Sequence, residues 1–77
     1  MSLTERVKEI LKEELNVDSI ADNAAQEDYA EWDSLTYMRI IAAVENRFKV
    51  AITAENINRF NSVANIVTEI EKTDDYR

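Results

Sequence analysis

The sequence predicts an all-α fold, a small four-helix bundle of three main helices and one short helix 3. Three observations carry this prediction. Apolar residues recur at helical spacing in three separate stretches, as they do on helices with one buried face. Each of those stretches, and a shorter one between the last two, is preceded by Ser, Thr, Asp or Asn, the residues that cap helix N-termini. The 77 residues include no glycine and no proline, whereas tight hairpins lean on glycine-containing turns. A chain of this length makes one small domain, residues 1–77, that buries about 60% of its unfolded surface and has little room for a deep active site beside its core.

The first helix spans about residues 3–15. Ser2 or Thr4 can cap it, and Ser2 with Glu5 has the spacing of a capping box. Leu3, Val7, Ile10, Leu11 and Leu15 make its apolar face. The charged run of Glu5, Arg6, Lys8, Glu9, Lys12 and Glu13 covers the rest as a solvated face, with Glu5–Lys8 and Glu9–Lys12 as weak opposite-charge neighbours. Asn16 can end the helix in a left-handed conformation.

Residues 16–33 hold no sustained helical period and form a long loop, a length that in compact domains is uncommon and often functional. Val17, Ile20, Tyr29 and Trp32 are its anchors. Its remaining character is acidic, from Asp18, Asp22, Glu27, Asp28, Glu31 and Asp33. Asp18 to Asn23 lacks the glycine and terminal glutamate of a calcium-binding EF-hand loop.

The second helix, about residues 34–48, organises the chain. Tyr37, Ile40, Ile41, Val44 and Phe48 form one apolar stripe, and Leu35, Met38 and Ala42 form a second. Thr36, Arg39, Ala43, Asn46 and Arg47 make the opposite, mostly polar face. One stripe suffices to anchor a helix in a small core, so the second is surplus. A connector follows and drops Val50 and Ile52 toward the core. Thr53 caps a short helix at about 54–59 with Ile57 and Phe60 inward. Asn61 or Ser62 caps the last helix, about 62–71, where Val63, Ile66, Val67 and Ile70 repeat at i, i+3, i+4, i+7. The polar tail from Thr73 onward is expected to fray.

Composition excludes several functions. The chain has no histidine and no cysteine, so neither a Ser-His nor a Cys-His nucleophile pair can form and the usual zinc ligand sets are missing. An enzyme acting alone is therefore not expected, and no catalytic or metal-ligating residue is assigned. A net charge of −7 disfavours nucleic-acid binding and favours basic protein partners. The charged N-terminal stretch is neither a signal peptide nor a membrane span. A monomer in the cytoplasm is expected.

The residues that open the second helix pose the functional question. Asp33 and Ser34 are both good N-caps, and capping alone would explain either. A helix N-terminus is also a seat for an anion, because free N–H groups and the macrodipole favour a phosphate there by about 0.3–1 kcal/mol at an exposed site. A serine at that place suits a phosphodiester installed by a separate enzyme.

Asp33-Ser34-Leu35 resembles the D-S-L motif of the acyl carrier proteins. The likeness extends through Glu45 to Phe48 at the end of the second helix, the hydrophobic connector Val50 to Ile52, the short helix from Thr53 to Arg59, and the final helix from Ser62 to Ile70. The resemblance implies that Ser34 bears 4′-phosphopantetheine, whose terminal thiol holds acyl groups as thioesters. It further implies that Asp33 assists the magnesium-dependent phosphopantetheinyl transferase. Leu35, Met38, Arg39, Ala42 and Glu45 would face partner enzymes: an acyl-loading ligase or acyltransferase and the enzymes that process the acyl group. Of the core candidates Tyr37, Ile41, Val44, Ile52, Ile57, Phe60 and Ile66, some could line a cleft for an acyl chain.

The sequence departs from the fatty-acid carriers in three ways. Trp32 precedes the motif where a small residue is usual. The second helix holds Arg39, Arg47 and Glu45 and is net positive. The acidity lies in the preceding loop. Charge matching governs partner choice, so these departures point to a stand-alone carrier of a specialised pathway. The alternative from another class is a small acidic adaptor that binds a partner protein through the second helix, with Ser34 as a cap only.

Overall fold

A computed structural model of the chain describes residues 2–73; of the tail expected to fray, Thr73 is tied back, its N–H to Ile70 O at 3.1 Å and its hydroxyl to Glu69 O at 3.2 Å, and the rest lies outside the described residues. Three α-helices and two short 3-10 turns make up the regular structure among the described residues.

Helix α1 (Leu3–Leu15) begins at Ser2, not Thr4. Ser2 Oγ accepts from Glu5 N–H at 3.1 Å, and the Glu5 carboxylate accepts in return from Ser2 N–H at 3.4 Å. This reciprocal pair satisfies two donors that the helix start leaves open. Val7, Ile10, Leu11 and Leu15 are buried along one face. Asn16 stops the helix at φ 58°, a left-handed conformation that its short polar side chain tolerates.

The connector to the next helix is more than a solvated link. It buries Ile20, Ala24 and Trp32, and a 3-10 turn, Gln26–Asp28, interrupts it. An isolated antiparallel bridge joins Ala25 to Ser62. Its bonds run from Gln26 N–H to Asn61 O at 2.8 Å and from Val63 N–H to Ala24 O at 3.0 Å. The long loop is thus stitched to the start of the last helix.

Helix α2 (Ser34–Phe48) buries Thr36, Ile40, Ile41, Val44 and Phe48. Thr36 corrects the sequence reading, which put it on the polar face: it lies one turn before the buried Ile40 on the same side of the helix and is only 5% exposed. Tyr37, expected in the core, is half-buried. The helix ends at Lys49, φ 56°. Glu45 Oε2 accepts from Ile52 N–H at 3.0 Å and fixes the connector that follows.

The expected helix at about 54–59 is corrected to a turn followed by a three-residue 3-10 segment, Ile57–Arg59. The segment does begin as a helix start would, with the Asn56 side-chain oxygen accepting from Thr53 N–H at 2.9 Å, but it continues only as turn and 3-10 backbone. The four-helix expectation is accordingly met only loosely. Helix α3 (Val63–Glu71) is capped by Ser62, whose Oγ accepts from Asn65 N–H at 3.0 Å.

Helix α1 packs against both α2 and α3, and Phe60, Ile40, Ile66 and Ile70 fill the space between them, each no more than 1% exposed. Two ion pairs tie α2 to α1 from outside, Arg47–Glu13 at 2.8 Å and Arg39–Glu14 at 3.7 Å. The Arg6 guanidinium lies over the Phe48 ring, 4.7 Å from its centroid. No helix among the described residues is long and apolar enough to cross a membrane.

Candidate functional site

The start of α2 separates the two duties that the sequence left open between Asp33 and Ser34. Asp33 is the cap: its backbone is extended and its Oδ1 accepts from Thr36 N–H at 2.9 Å. That bond, with lesser help from the Thr36 hydroxyl and the Arg39 charge, holds the Asp33 carboxyl below the usual carboxylate range against a small opposing effect of burial. Ser34 is the first helical residue. It is exposed, and its hydroxyl makes no hydrogen bond among the described residues.

The local backbone suits an anion on Ser34. The first N–H groups of a helix have no partner within it. Thr36 N–H is taken by the Asp33 side chain and Tyr37 N–H by Asp33 O at 2.8 Å. Those of Ser34 and Leu35 remain without a partner among the described residues. A phosphodiester on Ser34 Oγ would find an exposed attachment atom, two open N–H groups and the positive end of the helix dipole. The residues present fit the group.

Trp32 sets the approach to this turn. Its side chain is 2% exposed and anchors the connector one residue before Asp33, while its carbonyl accepts from Gln26 Nε2 at 3.0 Å. Trp32 Nε1 is buried without a hydrogen-bond partner, so the ring is held by packing.

The other predicted site residues divide. Leu35 and Met38 are 67% and 52% exposed, and Ala42 is exposed with them. The surplus stripe therefore lies on the surface beside Ser34 and not in the core. Arg39 is exposed but paired with Glu14. Glu45 is half-buried with its carboxylate on Ile52 N–H. The net positive charge read for the second helix is thus answered by glutamates of α1, a pairing between residues too far apart in sequence for periodicity to reveal.

Sequence reading also missed a groove of about 350 Å³ that opens next to Ser34. Tyr37, Met38 and Ile57 supply its apolar lining, and Gln26, Asn58 and Asn61 bring carboxamides. At its floor the Tyr37 hydroxyl donates to Ile57 O at 2.5 Å and accepts from Phe60 N–H at 3.0 Å. Burial pushes the Tyr37 phenol up, opposed by the Phe60 N–H. Among the described residues no group of three or more His, Cys, Asp or Glu could hold a metal ion.

The phosphopantetheine attachment site family matches residues 5–70 of the chain. Two curated acyl carrier proteins are similar along nearly the whole length. The one from Solidesulfovibrio magneticus is 36% identical over 74 residues, which cover 94% of this chain and 95% of the relative. The one from Akkermansia muciniphila is 34% identical over 74 residues, 92% of this chain and 91% of the relative. The chain belongs to the phosphopantetheine attachment site family, as an acyl carrier. It bears phosphopantetheine, interacts with enzymes of acyl metabolism and is not itself an enzyme; the adaptor alternative is not favoured. When bound, the group supplies the thiol that a cysteine-free chain lacks.

Proposed function

We propose that Ser34 is the residue that carries the arm and that Asp33 is read by the phosphopantetheinyl transferase that installs it. One observation supports this reading above others: Asp33 does the capping and leaves the adjacent Ser34 hydroxyl exposed and without a partner. The protein holds the acyl group as a thioester and presents it to enzymes in turn, so its contribution is effective concentration rather than catalysis.

Partner enzymes dock on the Leu35, Met38 and Ala42 stripe beside the arm. Arg39 and Glu45 border it, the first held by Glu14 and the second by Ile52 N–H. An acyl-loading ligase or acyltransferase charges the arm, and downstream acyl-processing enzymes receive the cargo. The acidic connector, with Glu27, Asp28, Glu31 and Asp33, replaces an acidic second helix as the electrostatic mark, which favours a dedicated carrier of a specialised pathway. Residues 1–77 act as a single domain, and the protein works as a cytoplasmic monomer.

The test is the intact mass after incubation with a broad-range phosphopantetheinyl transferase, coenzyme A and magnesium. The parent chain should gain one phosphopantetheine group and Ser34→Ala none. A gain in Ser34→Ala, or none in either with several transferases, would overturn the assignment.

A further inference from the structure

We propose that Glu69 is a buried electrostatic latch: by holding Arg59 on α3, it positions the 57–60 segment that walls the groove beside Ser34. The inference does not depend on which residue carries the arm. Glu69 lies on α3 between the fully buried Ile66 and Ile70 and is itself only 7% exposed. A carboxylate on the core side of a helix is costly unless charges answer it. Two cations do so at Glu69 Oε2, Lys72 Nζ at 3.3 Å and Arg59 Nη1 at 3.9 Å. They differ in what they join. Lys72 follows Glu69 at the end of α3 itself, whereas Arg59 closes the 3-10 turn.

The segment is held from both sides. On the α2 side the Tyr37 hydroxyl donates to Ile57 O and accepts from Phe60 N–H. On the α3 side Glu69 takes Arg59. Beneath, the Phe60 side chain is packed at 1% exposure. Just beyond, the bonds of Gln26 N–H to Asn61 O and of Val63 N–H to Ala24 O tie the chain to the connector. The segment is thus a strap between two helices, anchored at its C-terminal end and clasped along its length by a hydroxyl and a carboxylate. Ile57 and Asn58 of the strap line the groove, so a strap that shifts changes the groove's width.

The burial of the carboxylate is what makes the contact a latch. The Arg59 and Lys72 side chains are 62% and 58% exposed, that of Glu69 only 8%. Water, or an anionic group on a docked protein, can draw the guanidinium away. The carboxylate cannot follow it and stays behind with Lys72. A buried charge left with less compensation is unfavourable, so the clasped strap is the resting state. An exposed carboxylate at the same place would follow the cation into solvent and fix little, as surface pairs generally do.

Native-state amide exchange of the full chain tests the latch. It is read at the hydrogen-bonded amides of Ile57, Arg59 and Phe60 against those of α1 and α2. Arg59→Ala and Glu69→Gln should each speed exchange in the strap about fivefold relative to the helices, and the two combined should be no faster than either alone. Lys72→Ala removes a cation from the same carboxylate without touching the link between elements, and should leave that ratio unchanged. Glu69→Leu separates the latch from general stability. An apolar side chain in place of a buried charge keeps or raises the unfolding midpoint, yet the strap should exchange as fast as in Glu69→Gln. Four results would each overturn the latch: equal acceleration of strap and helices in Arg59→Ala and Glu69→Gln, additive effects in the double variant, Lys72→Ala as effective as Arg59→Ala, or an unchanged strap in Glu69→Leu.

Discussion

At the scale of single residues, the start of α2 works because two adjacent side chains divide two tasks. Asp33 caps and Ser34 is left free. The division makes different predictions for the two. Ser34→Ala should leave the melting temperature almost unchanged, whereas Asp33→Ala should lower it by removing the acceptor of Thr36 N–H. Asp33 also gives the protein a pH dependence. Its carboxyl is held below its ordinary value in the folded chain. The stabilisation is thus present above the ordinary carboxylate range and is lost as the pH falls through the lowered folded value. In melts run from neutral to acidic pH, Asp33→Asn should differ most from the parent at neutral pH and converge with it in acid. A constant difference would show that charge plays no part in the cap. Tyr37 offers a second test at this scale. Tyr37→Phe keeps the ring but strips Ile57 O and Phe60 N–H of their partner. A loss of about 1–3 kcal/mol is expected in urea unfolding, the cost of leaving half-buried polar groups unpaired.

At the scale of elements, what the sequence made legible was what is local. The capping box of Ser2 and Glu5, the left-handed stop at Asn16 and the apolar repeat of Val63, Ile66 and Ile70 each depend on neighbours within one or two turns. So did the position of Ser34 at the first turn of α2. The short third helix was overread because the capping signal at Thr53, with Asn56 accepting from its N–H, marks where a helical turn starts and not how far it runs, and here it yields only a turn and the 3-10 segment Ile57–Arg59. Thr36 was misplaced because helical periodicity ranks faces by hydropathy, and a small polar residue in the first turn can be covered by the body. Nothing local announces that Arg47 and Arg39 meet Glu13 and Glu14, or that Tyr37 reaches Ile57 and Phe60. The ion pairs change how partner choice must be tested. Arg47→Glu places a like charge against Glu13 and should destabilise more than Arg47→Ala, whose cost is about 0.2–1 kcal/mol for an exposed pair. Combining Arg47→Glu with Glu13→Arg should recover most of the loss in thermal melts. If the double variant is no better than Arg47→Glu alone, the pair does not couple α1 to α2.

At the scale of the whole molecule, a small bundle has stability of about 5–15 kcal/mol to draw on. Ile40 is fully buried where α2 meets the core, and Ile40→Ala is expected to cost about 2–5 kcal/mol, a large share of the total. Chemical denaturation should show a shifted midpoint with the slope retained. The surface in contrast is free to specialise. The groove opens beside Ser34, and the exposed Leu35 and Met38 follow it on α2; under the proposed function, partner and transferase would meet the chain at that end. The protein's own side chains supply no thiol, because the sequence has no cysteine. That absence makes the central claim open to a direct count. Free thiol is titrated with a chromogenic disulfide before and after treatment with transferase, coenzyme A and magnesium, once small thiols have been removed. The expected result is no thiol before, one per chain after, and none in Ser34→Ala. A treated parent chain without thiol, or a Ser34→Ala chain that acquires one, would contradict it.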